Sequence, residues 1–119
     1  DIVVPPSRIG DYLHQLNQLS QETGIKILGY GHLGDGNIHV NILKLSCTDN
    51  QWESQKETIV SKVLEIAVQM GGTITGEHGI GTTKKAYMNL IFSKKDMAIL
   101  QGIKQAVDPN GICNPGKIV

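Results

Sequence analysis

Apolar residues recur along the chain with two different periods, and the order of these periods predicts the secondary structure. Short runs rich in isoleucine, leucine and valine predict strands at residues 1–4, 25–31 and 37–45. Apolar residues at helical spacing predict a helix over residues 9–23 and a second helix whose apolar positions run from Ile59 to Met70, each closed by glycine. This alternation is typical of a fold that mixes helices with a sheet.

The remaining segments complete a known arrangement. Residues 73–75 predict a short fourth strand that runs into a glycine-rich loop at residues 76–81, and a third helix and an irregular Pro-Gly tail follow. The order strand, helix, strand, strand, helix, strand is that of ferredoxin-like folds. We therefore predict an α+β protein with one domain over residues 1–119. It consists of a ferredoxin-like βαββαβ half-domain with an antiparallel sheet, residues 1–80, and a C-terminal helix with an irregular tail, residues 81–119.

The starts of the helices carry capping signals. Ser7 and Ser93 stand just before the first and third helical patterns, and serine is a preferred N-cap residue. Asn50, with Glu53 three residues later, resembles a capping box at the start of the second helix.

Composition and charge argue against several classes of function. Eleven lysine and arginine residues balance eleven aspartate and glutamate residues, so no excess of positive charge indicates nucleic-acid or anionic-membrane binding. The sequence has no long apolar run and no signal-peptide pattern, and we expect a soluble protein or one peripheral to a membrane, cytoplasmic, or mitochondrial in a eukaryote. Cys47 and Cys113 are isolated and predict free thiols. Because the chain opens at Asp1 inside an apolar run, we expect it to be a piece of a longer protein.

Two histidines lie on either side of a turn signal in the segment GYGHLGDGNIHVN, residues 29–41. A two-residue turn at Asp35-Gly36 would place His32 directly opposite His39, with both imidazoles on one face of the hairpin and Asn41 on the same face. Such a pair can share one cation. The alternative is two solvated histidines, and a register slip of one residue would separate them onto opposite faces.

The glycine-rich loop GEHGIG supplies further candidates. Glu77 together with His32 and His39 would give two histidines and a carboxylate, a set that suits zinc, manganese or ferrous iron and leaves positions open for a substrate. His78 would then be free to act as a general base. Lys84 can meet a substrate anion. The alternatives are a solvated Glu-His pair and a surface lysine.

Three motifs together resemble the C-terminal end of the FAD-linked oxidase family, which includes D-lactate dehydrogenase, D-2-hydroxyglutarate dehydrogenase and the FAD-binding subunit of glycolate oxidase. They are GYGHLGDGNIHVN, GTITGEHGIGTTK and DPNGICNPGKI, which keep their order and span most of the chain. The opening DIVVPPSRI also resembles the family's strand-to-helix entry.

The resemblance implies a fold and roles for five residues. The chain would be the second ferredoxin-like half of the substrate domain, following an N-terminal FAD domain. His32, His39 and Glu77 would hold a divalent metal, zinc or manganese, that binds the hydroxyl and carboxylate oxygens of a 2-hydroxy acid. His78 would take the hydroxyl proton while hydride passes to the flavin, and Asn41 would contact the substrate.

The resemblance also implies what lies outside this chain. FAD would be bound by the missing domain of the same parent chain, and we expect Asn114, in the Pro-Gly tail, to contact that cofactor. The family's substrate-carboxylate arginine would lie upstream, since Arg8 is the only arginine and does not match it. We therefore expect the fragment to be inactive alone and able to self-associate through exposed apolar surface. The substrate's identity and the electron acceptor stay open.

Two other functions fit the same pattern. One is a small ferredoxin-like regulatory or oligomerisation module that binds a metal or another ligand. The other is a metal-dependent hydrolase that uses His78 as its base. An FAD domain upstream in the parent gene would favour the oxidoreductase, and turnover by this chain alone with added metal would favour the hydrolase.

Overall fold

The structure, a computed structural model, describes residues 1–45 and 47–119 of the chain. By their contacts these residues fall into two units, which we call the sheet unit, Asp1–His78, and the tail unit, Gly79–Val119. None of the helices in the described part of the chain is long and apolar enough to cross a membrane.

The sheet unit contains three strands and two long helices. Its elements are β1 (Ile2–Val3), α1 (Ile9–Thr23), β2 (Lys26–His32), β3 (Asn37–Leu43) and α2 (Asp49–Gln69), with a 3₁₀ turn at Pro6–Arg8 before α1. The tail unit contains a 3₁₀ helix at Lys85–Leu90 and α3 (Lys94–Val107).

The sheet is antiparallel with the strand order β1-β3-β2, so β3 is its central strand. On the outer side of β1, Thr73 forms a single bridge to Val3. This bridge is all that forms of the predicted fourth strand, but it lies in sequence order after α2, as the βαββαβ pattern requires. The predicted α+β ferredoxin-like half-domain is confirmed.

The core of the sheet unit lies between one face of the sheet and the two helices. Ile27 and Ile38 contribute from the sheet, and both are buried. Tyr12 is fully buried on α1, and its hydroxyl donates a hydrogen bond to the Val63 carbonyl of α2 at 3.0 Å. Burial raises the pKa of this phenol. Tyr12 thus joins the two helices through an apolar ring with one satisfied polar atom.

Two of the three capping predictions are wrong in detail. Thr48, with Gln51, forms the capping box of α2, two residues before the predicted Asn50. Ser7 lies within the 3₁₀ turn instead of capping α1. Ser93 caps α3 as predicted, and Asp96 completes its capping box.

The predicted register of the hairpin is also wrong. His32 pairs with Asn37, and Tyr30 pairs with His39, so the loop between the strands has four residues, 33–36, instead of two. The residue after β1 stabilises this longer loop, because the Val4 amide donates a hydrogen bond to the Gly36 carbonyl at 3.1 Å. Gly36 has a φ of 78°, and a Cβ there would lie 1.9 Å from the Val4 carbonyl oxygen.

The error amounts to two residues, which preserves the faces of both strands. A strand alternates its side chains with a period of two, so a shift by an even number moves no side chain to the other face. His32 and His39 are now diagonal neighbours on one face, instead of directly opposed.

The tail unit is held at the end of α3 by one buried carboxylate. Asp108 accepts hydrogen bonds from the Lys104 ammonium, from the Ile112 amide at 3.1 Å and from the Cys113 amide at 3.0 Å. The hydrogen bond from Lys104 is the main cause that holds the pKa of the Asp108 carboxyl below its usual range, against the opposing effect of burial. The carboxylate therefore ties the segment after the helix back onto its last turn.

We expect protonation of Asp108 to release this segment. A carboxyl whose pKa is lowered on folding stabilises the fold above its unfolded pKa of about 4, and this contribution is lost as the pH falls below that value. The amide chemical shifts of Ile112 and Cys113 should therefore show a transition below about pH 4. Asp108→Asn should abolish the transition, while Asp96→Asn, at the other end of α3, should leave it. A midpoint above the usual carboxyl value would contradict this assignment.

Candidate metal centre

The hairpin carries a polar face on the side of the sheet away from the helices. Tyr30 and His32 of β2 and His39 and Asn41 of β3 share this face, since Ile27 and Ile38 occupy the other. The ring centroids of His32 and His39 are 5.6 Å apart, and those of Tyr30 and His39 are 5.4 Å apart. Two imidazoles from neighbouring strands therefore lie side by side.

Glu77 joins the two histidines from the loop that follows Thr73. Its Oε1 atom lies 3.1 Å from Nε2 of His39. One ligand atom each from His32, His39 and Glu77 can be chosen so that all three lie within 4.8 Å of one another. Since metal–ligand distances to nitrogen and oxygen are about 2.0–2.2 Å, these atoms are close enough to converge on one cation.

His78 lies beside this set of three ligands. Its ring stacks on that of His39 with a centroid distance of 5.4 Å and an interplanar angle of 27°, and its Nε2 atom lies 3.7 Å from Oε1 of Glu77. The His78 side chain is 62% exposed. An exposed imidazole next to the ligands is suited to exchanging protons with a bound molecule.

A second set of three ligands shares His39 with the first. Asp1, His39 and His78 also offer ligand atoms within 4.8 Å of one another. However, the Asp1 carboxylate already accepts hydrogen bonds from the amides of Gly76 and His78. Because the backbone amides converge on one oxygen of this carboxylate, Oδ2, we take the first set as the candidate metal centre.

Asn37, a buried residue of the polar face, supports Glu77. It is 4% exposed, and its Nδ2 atom donates to Oε1 of Glu77 at 3.1 Å. Its Oδ1 atom is buried without a hydrogen-bond partner among the described residues and lies against Gly76, where a Cβ would approach it to 2.4 Å. Gly76 is thus required by the close approach of this amide, which holds the carboxylate of Glu77 toward the histidines.

Asn37 is a site residue that the sequence reasoning missed. The signal was available, since Asn37 precedes His39 by two residues and so shares its face. The contact with Glu77, 40 positions away, could not be read from that pattern.

The other predicted site residues stay predictions. Asn41 is exposed on the polar face, where it pairs with Leu28. Lys84 and Asn114 belong to the tail unit. Lys84 is half-buried, and burial lowers the pKa of its ammonium. Asn114 is exposed with a φ of 50°.

Comparison with known proteins identifies the relatives of this chain. The family described as FAD linked oxidases, C-terminal domain, matches residues 1–118. D-Lactate dehydrogenase of Archaeoglobus fulgidus is 39% identical over 119 residues, which are 100% of this chain and 26% of the relative. D-Lactate dehydrogenase of Anaerostipes hadrus is 36% identical over 118 residues, covering 99% of this chain and 25% of the relative. Glycolate oxidase subunit GlcD of Bacillus subtilis is 36% identical over 122 residues, with coverages of 99% and 25%.

The chain spans about a quarter of the length of these relatives.

We expect Asn37→Asp to destabilise the sheet unit by about 1–3 kcal/mol, because it replaces a buried donor to Glu77 by a second carboxylate. Urea unfolding at neutral pH, followed by the fluorescence of Trp52 on α2, measures this change. Asn41→Asp is the matched control, since it makes the same substitution at an exposed position of β3 and should change stability by less than about 0.5 kcal/mol. Equal stability of the two variants would contradict the role of Asn37.

Proposed function

Because the chain belongs to the family of FAD linked oxidases, C-terminal domain, we propose that it is the substrate- and metal-binding domain of a flavoprotein dehydrogenase. The reaction is the oxidation of a small D-2-hydroxy acid, such as glycolate or D-lactate, to the 2-oxo acid. The observation that carries this proposal is the convergence of His32, His39 and Glu77, with His78 stacked beside them.

The donors suit the proposed cation. Two imidazoles and one carboxylate are common ligands of zinc and manganese, and three protein ligands leave positions open for the oxygens of a substrate. A divalent cation held there lowers the pKa of a bound hydroxyl group, which makes loss of its proton possible near neutral pH. Asn37 keeps the carboxylate of Glu77 turned toward the histidines.

His78 is the proposed general base. The oxidation removes one proton from the substrate hydroxyl and one hydride from the α-carbon, and the new carbonyl bond takes the electron pair left by the hydroxyl proton. The imidazole of His78 accepts the proton, because it lies at the exposed edge of the metal centre without being one of its three ligands. The flavin, bound by another domain of the parent chain, supplies the hydride acceptor.

Three further residues have proposed roles around this reaction. The amide of Asn41, exposed on the polar face, hydrogen-bonds the substrate. Lys84 offers a cation to the substrate carboxylate. Asn114, in the tail, contacts the FAD.

We expect the 119-residue chain to bind one equivalent of Mn²⁺ or Zn²⁺ through residues of the sheet unit. Calorimetric titration and elemental analysis measure this binding, and the double variant His32→Ala/His39→Ala should abolish it because two of three ligands are gone. His14→Ala is the control, since His14 is exposed on α1 and should not contribute. Equal binding by the double variant would contradict the metal assignment.

We expect His78→Ala in the full-length parent protein to retain its metal and its FAD but to lose the chemical step. Loss of a general base lowers a rate by roughly 10²- to 10⁴-fold. Rapid mixing with substrate under anaerobic conditions measures the rate of flavin reduction directly. Reduction at the parent rate would exclude His78 as the base, whereas loss of the metal would make it a ligand instead.

A further inference from the structure

The carboxylate of Asp1 accepts hydrogen bonds from four consecutive residues of the loop that carries Glu77 and His78. The hydroxyl of Thr75 donates to Oδ2 at 2.9 Å. The amides of Gly76, Glu77 and His78 donate to the same oxygen at 3.0, 3.3 and 3.2 Å. Successive backbone amides that converge on one anion form a concave site of positive potential, and hydrogen bonds to a charged acceptor are stronger than neutral ones.

The sheet brings Asp1 to this position. Ile2 pairs with Ile38 in the antiparallel pairing of β1 with β3, so Asp1 continues the register beside His39. On the other edge of β1, the bridge between Val3 and Thr73 starts the loop close to the same carboxylate. Asp1 therefore lies between the strand that carries one ligand and the loop that carries another.

Hydrogen bonds consequently hold both the backbone and the side chain of Glu77. Its backbone amide donates to Asp1, and its carboxylate accepts from Asn37. His78 is held likewise, with its amide on Asp1 and its ring stacked on His39.

We propose that Asp1 is a positioning residue of the metal centre, whose carboxylate fixes the loop so that Glu77 reaches the two histidines and His78 stays beside them. Asp1 serves the centre by binding backbone amides and is not itself a ligand. This proposal rests on the proposed function for its cation, whereas the hydrogen bonds to Asp1 are contacts between groups of the chain itself.

The test uses Asp1→Asn in the 119-residue chain. The substitution keeps the size of the side chain but removes its negative charge, so the hydrogen bonds that converge on Oδ2 lose their charge-assisted strength. Hydrogen exchange followed by NMR should show reduced protection of the Gly76, Glu77 and His78 amides. The amides of Val3 and Thr73, which bond each other's carbonyls, should keep their protection and show that the sheet is intact.

The same variant should bind Mn²⁺ more weakly by roughly 10- to 100-fold, as is usual for loss of a group that orients metal ligands. Asp1→Glu, which keeps the carboxylate, should recover part of this affinity. Asp11→Asn is the matched control, because it removes one carboxylate that pairs with Arg8 and should leave the Mn²⁺ affinity unchanged.

Each outcome separates the two proposals. Loss of loop protection with weaker Mn²⁺ binding, while Val3 and Thr73 stay protected, supports the positioning role. Unchanged loop protection, or unchanged affinity after protection is lost, overturns it. Absence of Mn²⁺ binding by the unaltered chain contradicts the proposed metal site. In that case the hydrogen exchange of the Gly76, Glu77 and His78 amides still tests whether Asp1 holds the loop.

Discussion

The pairing of β3 on both of its edges is the constraint on which the candidate site depends. On one edge, β2 brings His32 next to His39. On the other edge, β1 brings Asp1, and through the bridge from Val3 to Thr73 it also brings the loop with Glu77. Residues from both ends of the sheet unit thus meet on one strand because backbone hydrogen bonds fix their spacing. Buried apolar side chains on the opposite face prevent the strand from slipping, since a slip of one residue would exchange the two faces.

The periodicity of the sequence was sufficient to predict the order of the elements and the residues of the polar face. Helical spacing and β-rich runs predicted the order of the elements, and the alternation along residues 37–41 separated His39 from Ile38. The register could not be predicted from the turn alone. Asp35-Gly36 indicates a two-residue turn only when its groups form no hydrogen bonds to other parts of the chain. Here Val4 takes the Gly36 carbonyl, and the carboxylate of Asp35 accepts the Asn37 amide at 3.0 Å. The loop is therefore longer than its local sequence indicates.

The supporting residues were beyond the reach of sequence reasoning for a different reason. His32, His39 and Glu77 belong to types that bind metals, so their chemistry alone made them candidates. Asn37 and Asp1 act by hydrogen bonds that cross 40 and about 75 positions of the chain. Only the three-dimensional pairing of β1, β3 and the Glu77 loop reveals these bonds. The residue types that orient ligands do not by themselves indicate a metal site, although the metal affinity of such sites depends strongly on them.

Exposure distinguishes the candidate metal centre from a closed structural site. The side chains of His32 and Glu77 are 55% and 49% exposed, while that of His39, on the central strand, is 19% exposed. A structural metal site usually has four protein ligands and no open position, whereas a catalytic one has three and an accessible side. The candidate centre in this chain has three ligands and an accessible side, as the second kind has, and Asn37 and Asp1 form hydrogen bonds to Glu77. Within the proposed function, the open side is where substrate oxygens complete the coordination. The hydrogen bonds from Asn37 and to Asp1 then matter most, because an open site has few ligands to hold one another in place.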